Sequence, residues 1–123
     1  MIGNDALAAS HVTVLPAVSA ANTAGATSGW IDVRKYKGTL LFTVNTGSVT
    51  GSVAGKLQSA TDSGGTGAAD ITGATHTAIS SSNGVATIAI PATTCPYVKY
   101  IGTVTTGPVL MSVTLMAHPG LTG

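Results

Sequence analysis

Glutamate is absent from this 123-residue sequence, and charged residues of any kind make up only 7% of it, against about 25% in an ordinary globular domain. Five basic residues against four acidic ones leave a formal charge of +1. That balance leaves no electrostatic footprint for a nucleic-acid partner, which would demand a cluster of Lys or Arg on one face. Disorder is excluded as well, because disordered chains pair low hydrophobicity with high net charge, whereas this one is 44% hydrophobic. No apolar run approaches the roughly 18 to 20 residues of a membrane-spanning helix. Thr, Ser and Gly interrupt each one. The single cysteine, Cys95, has no intrachain disulfide partner. Met1-Ile2-Gly3-Asn4-Asp5 has neither the basic start nor the apolar stretch of a secretory signal, so intracellular synthesis is expected. Aromatics are scarce too, at 4%.

What the chain has is Ser, Thr, Ala, Asn and Gly between short apolar stretches of period two. A surface made of such residues does little to repel a neighbour and tolerates permanent contact. The length fits one domain with one core. His11 to Leu15 reads as a strand stopped by Pro16, and Ala17 to Ser28 as a loop or extended arm. Trp30 to Val33 is a second short strand. Thr39 to Asn45 alternates so that Leu40, Phe42 and Val44 share a face, and Ser52 to Ala60 follows with Val53 and Leu57 on one face and Lys56 and Gln58 on the other. Those two strands could pair as a hairpin.

A glycine-rich loop, Thr61 to Gly67, leads to short pieces at Ala69 to Thr72 and His76 to Ser80. Asn83-Gly84 marks a turn before Val85 to Ile90, which Pro91 ends. Tyr97 to Thr105 and Val109 to Ala117 read as a last pair around Thr106-Gly107-Pro108. Only Ala6 to Ala9 offers a turn of helix, too short to stand alone. About eight short strands without helices predict an all-β, antiparallel sandwich or barrel, between which the strand pattern does not choose; a jelly-roll-like β-sandwich is preferred, divided into an N-terminal strand and extended arm (1–28) and the sandwich domain (29–123). The expected core is Trp30, Leu40, Phe42, Val44, Val53, Leu57, Ile88, Ile90, Val98, Tyr100, Val104, Val109, Met111, Val113 and Leu115.

No chemistry stands out against that background. The acids are Asp5, Asp32, Asp62 and Asp70. Asp62 and Asp70 flank the glycine loop, but without the regular spacing of a calcium loop they read as turn-forming residues at a solvated tip. Gly64-Gly65-Thr66-Gly67 has no Lys and does not open a helix, so it is no phosphate cradle. His11, His76 and His118 lack metal-ligand spacing and are expected at polar surface positions. Cys95, between Thr94 and Pro96, has no visible partner to lower its pKa. Alternation puts Tyr97 and Lys99 on one face and Tyr100 on the other, which argues against a stacking platform for bases. No nucleophile elbow introduces any serine. No catalytic, cofactor-binding or metal-binding residue is assigned, and an enzyme is not expected.

Several phrases are nevertheless recognisable in order: Asp32-Val33 with Tyr36-Lys37-Gly38, then Lys56-Leu57-Gln58-Ser59-Ala60-Thr61-Asp62, then Ala69-Asp70-Ile71-Thr72-Gly73-Ala74. Tyr97-Val98-Lys99-Tyr100 and the strand ending Met116-Ala117-His118-Pro119 follow. In this the chain resembles small virion proteins of tailed bacteriophages, including capsid cement or decoration proteins of jelly-roll fold, over about residues 30 to 119. The resemblance implies a non-enzymatic structural protein without cofactors. It would be made in the host cytoplasm and reside on the capsid surface between capsomers. The implied partners are the major capsid protein and further copies of itself, a dimer being preferred to a trimer. Neither nucleic acid nor membrane is an expected partner. The alternatives are a tail or head-to-tail joining protein, or a carbohydrate-binding adhesion module, for which exposed Tyr36 or Tyr97 would be the sign. The N-terminal arm and the Gly64 to Gly67 loop are the expected contact regions.

Overall fold

A computed structural model describes residues 10–22, 24–34, 36–91 and 96–119. Eight strands follow in chain order: β1 (Ser10–Ala20), β2 (Ile31–Asp32), β3 (Tyr36–Val49), β4 (Ser52–Ala60), β5 (Ala69–Ile79), β6 (Val85–Pro91), β7 (Tyr97–Thr105) and β8 (Val109–Pro119). They form two four-stranded antiparallel sheets, ordered β1-β8-β3-β6 and β2-β7-β4-β5. First pairs with last, second with seventh, third with sixth and fourth with fifth. This is one long hairpin folded over on itself, with the β3–β8 and β4–β7 pairings joining successive wraps. That arrangement is a jelly roll. The all-β sandwich expected from the alternating pattern is therefore the observed fold, and among the described residues the only helical element is one 3-10 turn, Ala24–Ala26.

The inward positions of the two sheets meet in a single core. Leu40, Phe42 and Val44 of β3 and Val109, Val113 and Leu115 of β8 face Val53 and Leu57 of β4 and Val98 and Tyr100 of β7, all fully buried. Of the fifteen expected core side chains, thirteen are buried. Val104 is only partly covered and packs against the core from its margin. Trp30 lies outside it: the residue precedes β2, and its ring sits on the outward side of β7 against Lys99.

Three expectations about connectivity are corrected. β3 and β4 do not form a hairpin, and neither do β7 and β8; in each case the chain crosses from one sheet to the other. Alternation looks the same whichever sheet a strand joins, so neighbouring strands in sequence read as paired. The pieces at Ala69 to Thr72 and His76 to Ser80 are one strand, β5, whose register slips against β4 between Gln58↔Asp70 and Lys56↔Thr75, where Gly73 takes a positive φ of 79°.

The segment from Ala17 to Ser28 is not an arm apart from the domain. β1 continues through Pro16 to Ala20, with register breaks between Thr13 and Leu15 and between Leu15 and Val18. An edge strand with such bulges tolerates a proline, because its outer side needs no N–H donor. Ala20 and Ala26 are fully buried. Ser28 donates its N–H to the Tyr100 carbonyl at 2.9 Å and accepts the Tyr100 N–H on its hydroxyl at 2.9 Å, while Thr27 bridges to Ile101. A boundary at residue 28 would cut through this packing. Residues 1–9, the rest of the expected arm, lie outside the described residues.

Candidate interaction surfaces

The polar cluster inside the sandwich is built on β5 and β7. His76 and Tyr100 stack with parallel rings, centroids 5.9 Å apart, and the Tyr100 hydroxyl lies 2.8 Å from His76 Nε2. His76 Nδ1 lies 2.8 Å from the Thr77 carbonyl oxygen. Burial pushes the Tyr100 hydroxyl well above the usual phenol range. Glycine makes room for the pair, since a Cβ at Gly55 would overlap the Tyr100 hydroxyl and ring. His76, expected at the surface, is thus a buried structural residue, a role that its sequence neighbours do not signal. The pair ties β5 to β7 across Gly55 of β4, and His76 also lines an open depression along β5.

The outward face of the β2-β7-β4-β5 sheet carries most of the ordered charge. Asp32 and Arg34 form a two-point ion pair, with Nη2 to Oδ2 at 2.8 Å and Nε to Oδ1 at 3.0 Å. This contact raises the Arg34 pKa. Arg34 also lies over the Tyr97 ring at 5.2 Å, and Lys99 over the Trp30 ring at 4.9 Å. Asp70 accepts from Gln58 Nε2 at 2.8 Å and Lys56 Nζ at 3.1 Å, and these contacts hold its carboxyl below the usual range. Tyr97 and Lys99 share this outer face and Tyr100 points inward, as alternation predicts. Trp30 and Tyr97 are both partly exposed, but each ring is taken up by a cation. Gly65 approaches Trp30 so closely that a Cβ there would lie 2.8 Å from Nε1. Neither is an open platform for a sugar ring, and Tyr36 is buried.

The loop between β4 and β5 is closed from within. Asp62 Oδ1 accepts the N–H groups of Gly64 at 2.9 Å and Thr66 at 3.2 Å. Hydrogen bonds from Thr66, with smaller help from Gly64 and Gly65, hold its carboxyl below the usual range. Asp62 therefore shapes the turn, and Asp70 belongs to a different cluster, on the sheet face. No group of three His, Cys, Asp or Glu side chains is gathered among the described residues. Cys95 lies outside those residues, and the side chains of His11 and His118 are likewise outside them.

The opposite face, on β1-β8-β3-β6, is of another kind. Its outward positions follow from the register: His11, Met116, Leu41 and Ala89 form one rung, Thr13, Thr114, Thr43 and Thr87 the next, and Ser112, Asn45 and Val85 a third. Leu110 extends the face beside Gly47. None of these is an Asp, Lys or Arg. Leu110, Met116 and Val85 are 49%, 40% and 63% exposed, the large apolar side chains most open to solvent among the described residues. Lys37 stands at the rim, beyond the register break in β3. Sequence reasoning anticipated a neutral surface but not its segregation onto one sheet. The signal was present in the outward residues of β3 and β8, but reading it requires knowing that those strands are neighbours.

Between the two sheets, the seam along β5 and β6 holds two open depressions. One, of about 500 Å³, runs along Thr75 to Ser81 and Gly84 to Thr87. The other, of about 440 Å³, lies between Asp70 to Gly73 and Ala89 to Pro91.

These features define a jelly-roll domain with one neutral and one charged face. The chain is similar in fold to the SPBc2 prophage-derived protein YomS, with a TM-score of 0.53 and 14% identity over 88% of this chain and 92% of that one. A further solved structure, titled "CBM4 structure and function", aligns with a TM-score of 0.38 and 11% identity over 90% of this chain and 70% of that one, a score too low to establish a shared fold. No protein-family model and no curated protein matches the sequence.

Proposed function

We propose that the protein is a non-enzymatic virion component of a tailed phage, a cement or decoration protein that binds the outside of the head between capsomers. The observation that carries the reading is the outward face of the β1-β8-β3-β6 sheet, whose three central rungs hold no Asp, Lys or Arg. Docking a charged surface on another protein costs desolvation of each charge. Threonine, serine, asparagine and short apolar side chains avoid that cost and still offer hydrogen bonds, as a permanent interface needs. The charged face, on the other sheet, then remains in water and keeps the assembled particle soluble. The prophage origin of YomS agrees with a phage setting, and the sequence phrases around Tyr36, Leu57, Asp70 and Tyr97 agree with the decoration proteins in particular.

The partner in this reading is the major capsid protein, and the test is co-sedimentation of the purified protein with phage shells that lack it. Saturable binding at a fixed copy number per shell, with rupture delayed under heat or low salt, is the expected result. Failure to bind, together with closed rings in solution, would overturn it in favour of a tail or head-to-tail joining protein. Rings are the form such joints take.

A further inference from the structure

Four strands end the sheets sideways: β1 and β6 in one, β2 and β5 in the other. An exposed edge presents unpaired N–H and C=O groups, and soluble proteins blunt it with shortness, proline, bulges or charge. Three of these edges are blunted. β2 has two residues. β1 contains Pro16 and two register breaks. β5 has its own breaks, the positive-φ Gly73 and the charged Asp70. β6 is different. It runs Val85-Ala-Thr-Ile-Ala-Ile-Pro91 with no charge and no glycine, its seven residues pair with β3 without a break, and proline comes only at its last position.

We propose that β6 pairs with β6 of a second copy across a two-fold axis, so that two β1-β8-β3-β6 sheets become one continuous sheet. An isologous contact sets a patch against itself, so any charge at its centre meets its own like. β6 meets that condition because it carries none. Its alternation also suits the join: Ile88 and Ile90 point into the core, while Thr87 and Ala89 lie on the neutral outer face, which the pairing would extend across both copies. A strand of seven residues is only about 23 Å long. A stable interface buries about 800 Å² on each partner, so the contact must reach beyond β6. The neighbouring wall of the seam, Thr75 to Ile79 of β5, has no Asp, Lys or Arg and lies along the same opening. This dimer is independent of shell binding and is measured without shells.

Sedimentation of the full chain over a range of concentrations tests it, with the variants Thr87→Lys, Thr87→Asp and, as a control on the opposite edge, Thr13→Lys. The expected results are a dimer for the unaltered protein and for Thr13→Lys, and monomers for each Thr87 variant, with unchanged far-ultraviolet circular dichroism. Mixing Thr87→Lys with Thr87→Asp should restore a dimer, because the two opposed charges then attract. Ala89→Lys, at the next outward position, replaces Thr87→Lys if that variant loses its dichroism. A monomer at every concentration, a trimer or ring, or a dimer indifferent to charge on β6 would each overturn the proposal.

Discussion

The hydroxyl of Tyr100 and Nε2 of His76 lie 2.8 Å apart inside the sandwich, and each is the other's hydrogen-bond partner there. Replacing Tyr100 with Phe removes the hydroxyl while the imidazole stays buried. Leaving a buried polar group unpaired costs about 1–3 kcal/mol. Chemical denaturation of Tyr100→Phe should show a loss of that size, with little change in the denaturant slope.

The same tyrosine sets an alkaline limit. Burial raises its pKa in the folded protein above the ordinary value near 10 of the unfolded chain. Above pH 10 the unfolded state therefore binds fewer protons than the folded one, and stability falls as pH rises. The contribution is fully present below about pH 10 and disappears on the way up to the folded pKa. Stability measured between pH 9 and 12 should decline more steeply for the unaltered protein than for Tyr100→Phe.

Gly55 is fixed by that ring. A methyl group added there overlaps the Tyr100 hydroxyl, so Gly55→Ala should cost about 1–3 kcal/mol as the core shifts to accept it. At Gly29 an added Cβ meets nothing within 4 Å, and Gly29→Ala should leave the denaturation midpoint in place.

Trp30 is the protein's one tryptophan, so its fluorescence reports on the loop that carries Gly65. Gly65 has a φ of +87° and touches the indole. Gly65→Ala should therefore shift the emission maximum and increase quenching by iodide, while Lys99→Met should change the emission with little effect on stability.

On the acid side, Asp62 and Asp70 both titrate below the usual carboxylate range. What they add to stability is present above about pH 4 and is lost as pH falls through their lowered folded values. Both are open to solvent, so the effect is small and weakens with salt. Carboxyl chemical shifts followed by pH should place both midpoints below that of an unstructured aspartate.

Period-two patterning made much of the sandwich legible. Ser52 to Ala60 has the same bounds in the sequence reading and in β4, and the inward set of β3 and β8 was named residue by residue. What patterning does not contain is the sheet to which each strand belongs. Of the consecutive strand pairs, only β4 and β5 lie side by side, so the expected β3–β4 and β7–β8 hairpins failed together for one reason. Small residues misled differently. Ala20, Ala26 and Ser28 looked like loop composition, yet they are buried because the sandwich closes tightly over them. Trp30 looked like core by its size, but it stands one residue before a two-residue strand, where a lysine and a glycine hold it outside. His76 was assigned to the surface because its partner, Tyr100, is 24 residues away.

The place of β8 also dictates the order in which the molecule can be completed. β8, made after β1 through β7, lies between β1 and β3. Until it leaves the ribosome, β1 has no ladder partner, and the core side chains that Val109, Met111, Val113 and Leu115 cover stay open to water. A nascent chain holding β1 through β7 therefore carries the exposed edges that invite aggregation and depends on β8 to close them. Truncation within Val109 to Ala117 should for this reason abolish soluble expression altogether, where a loss of similar length from a surface loop would not.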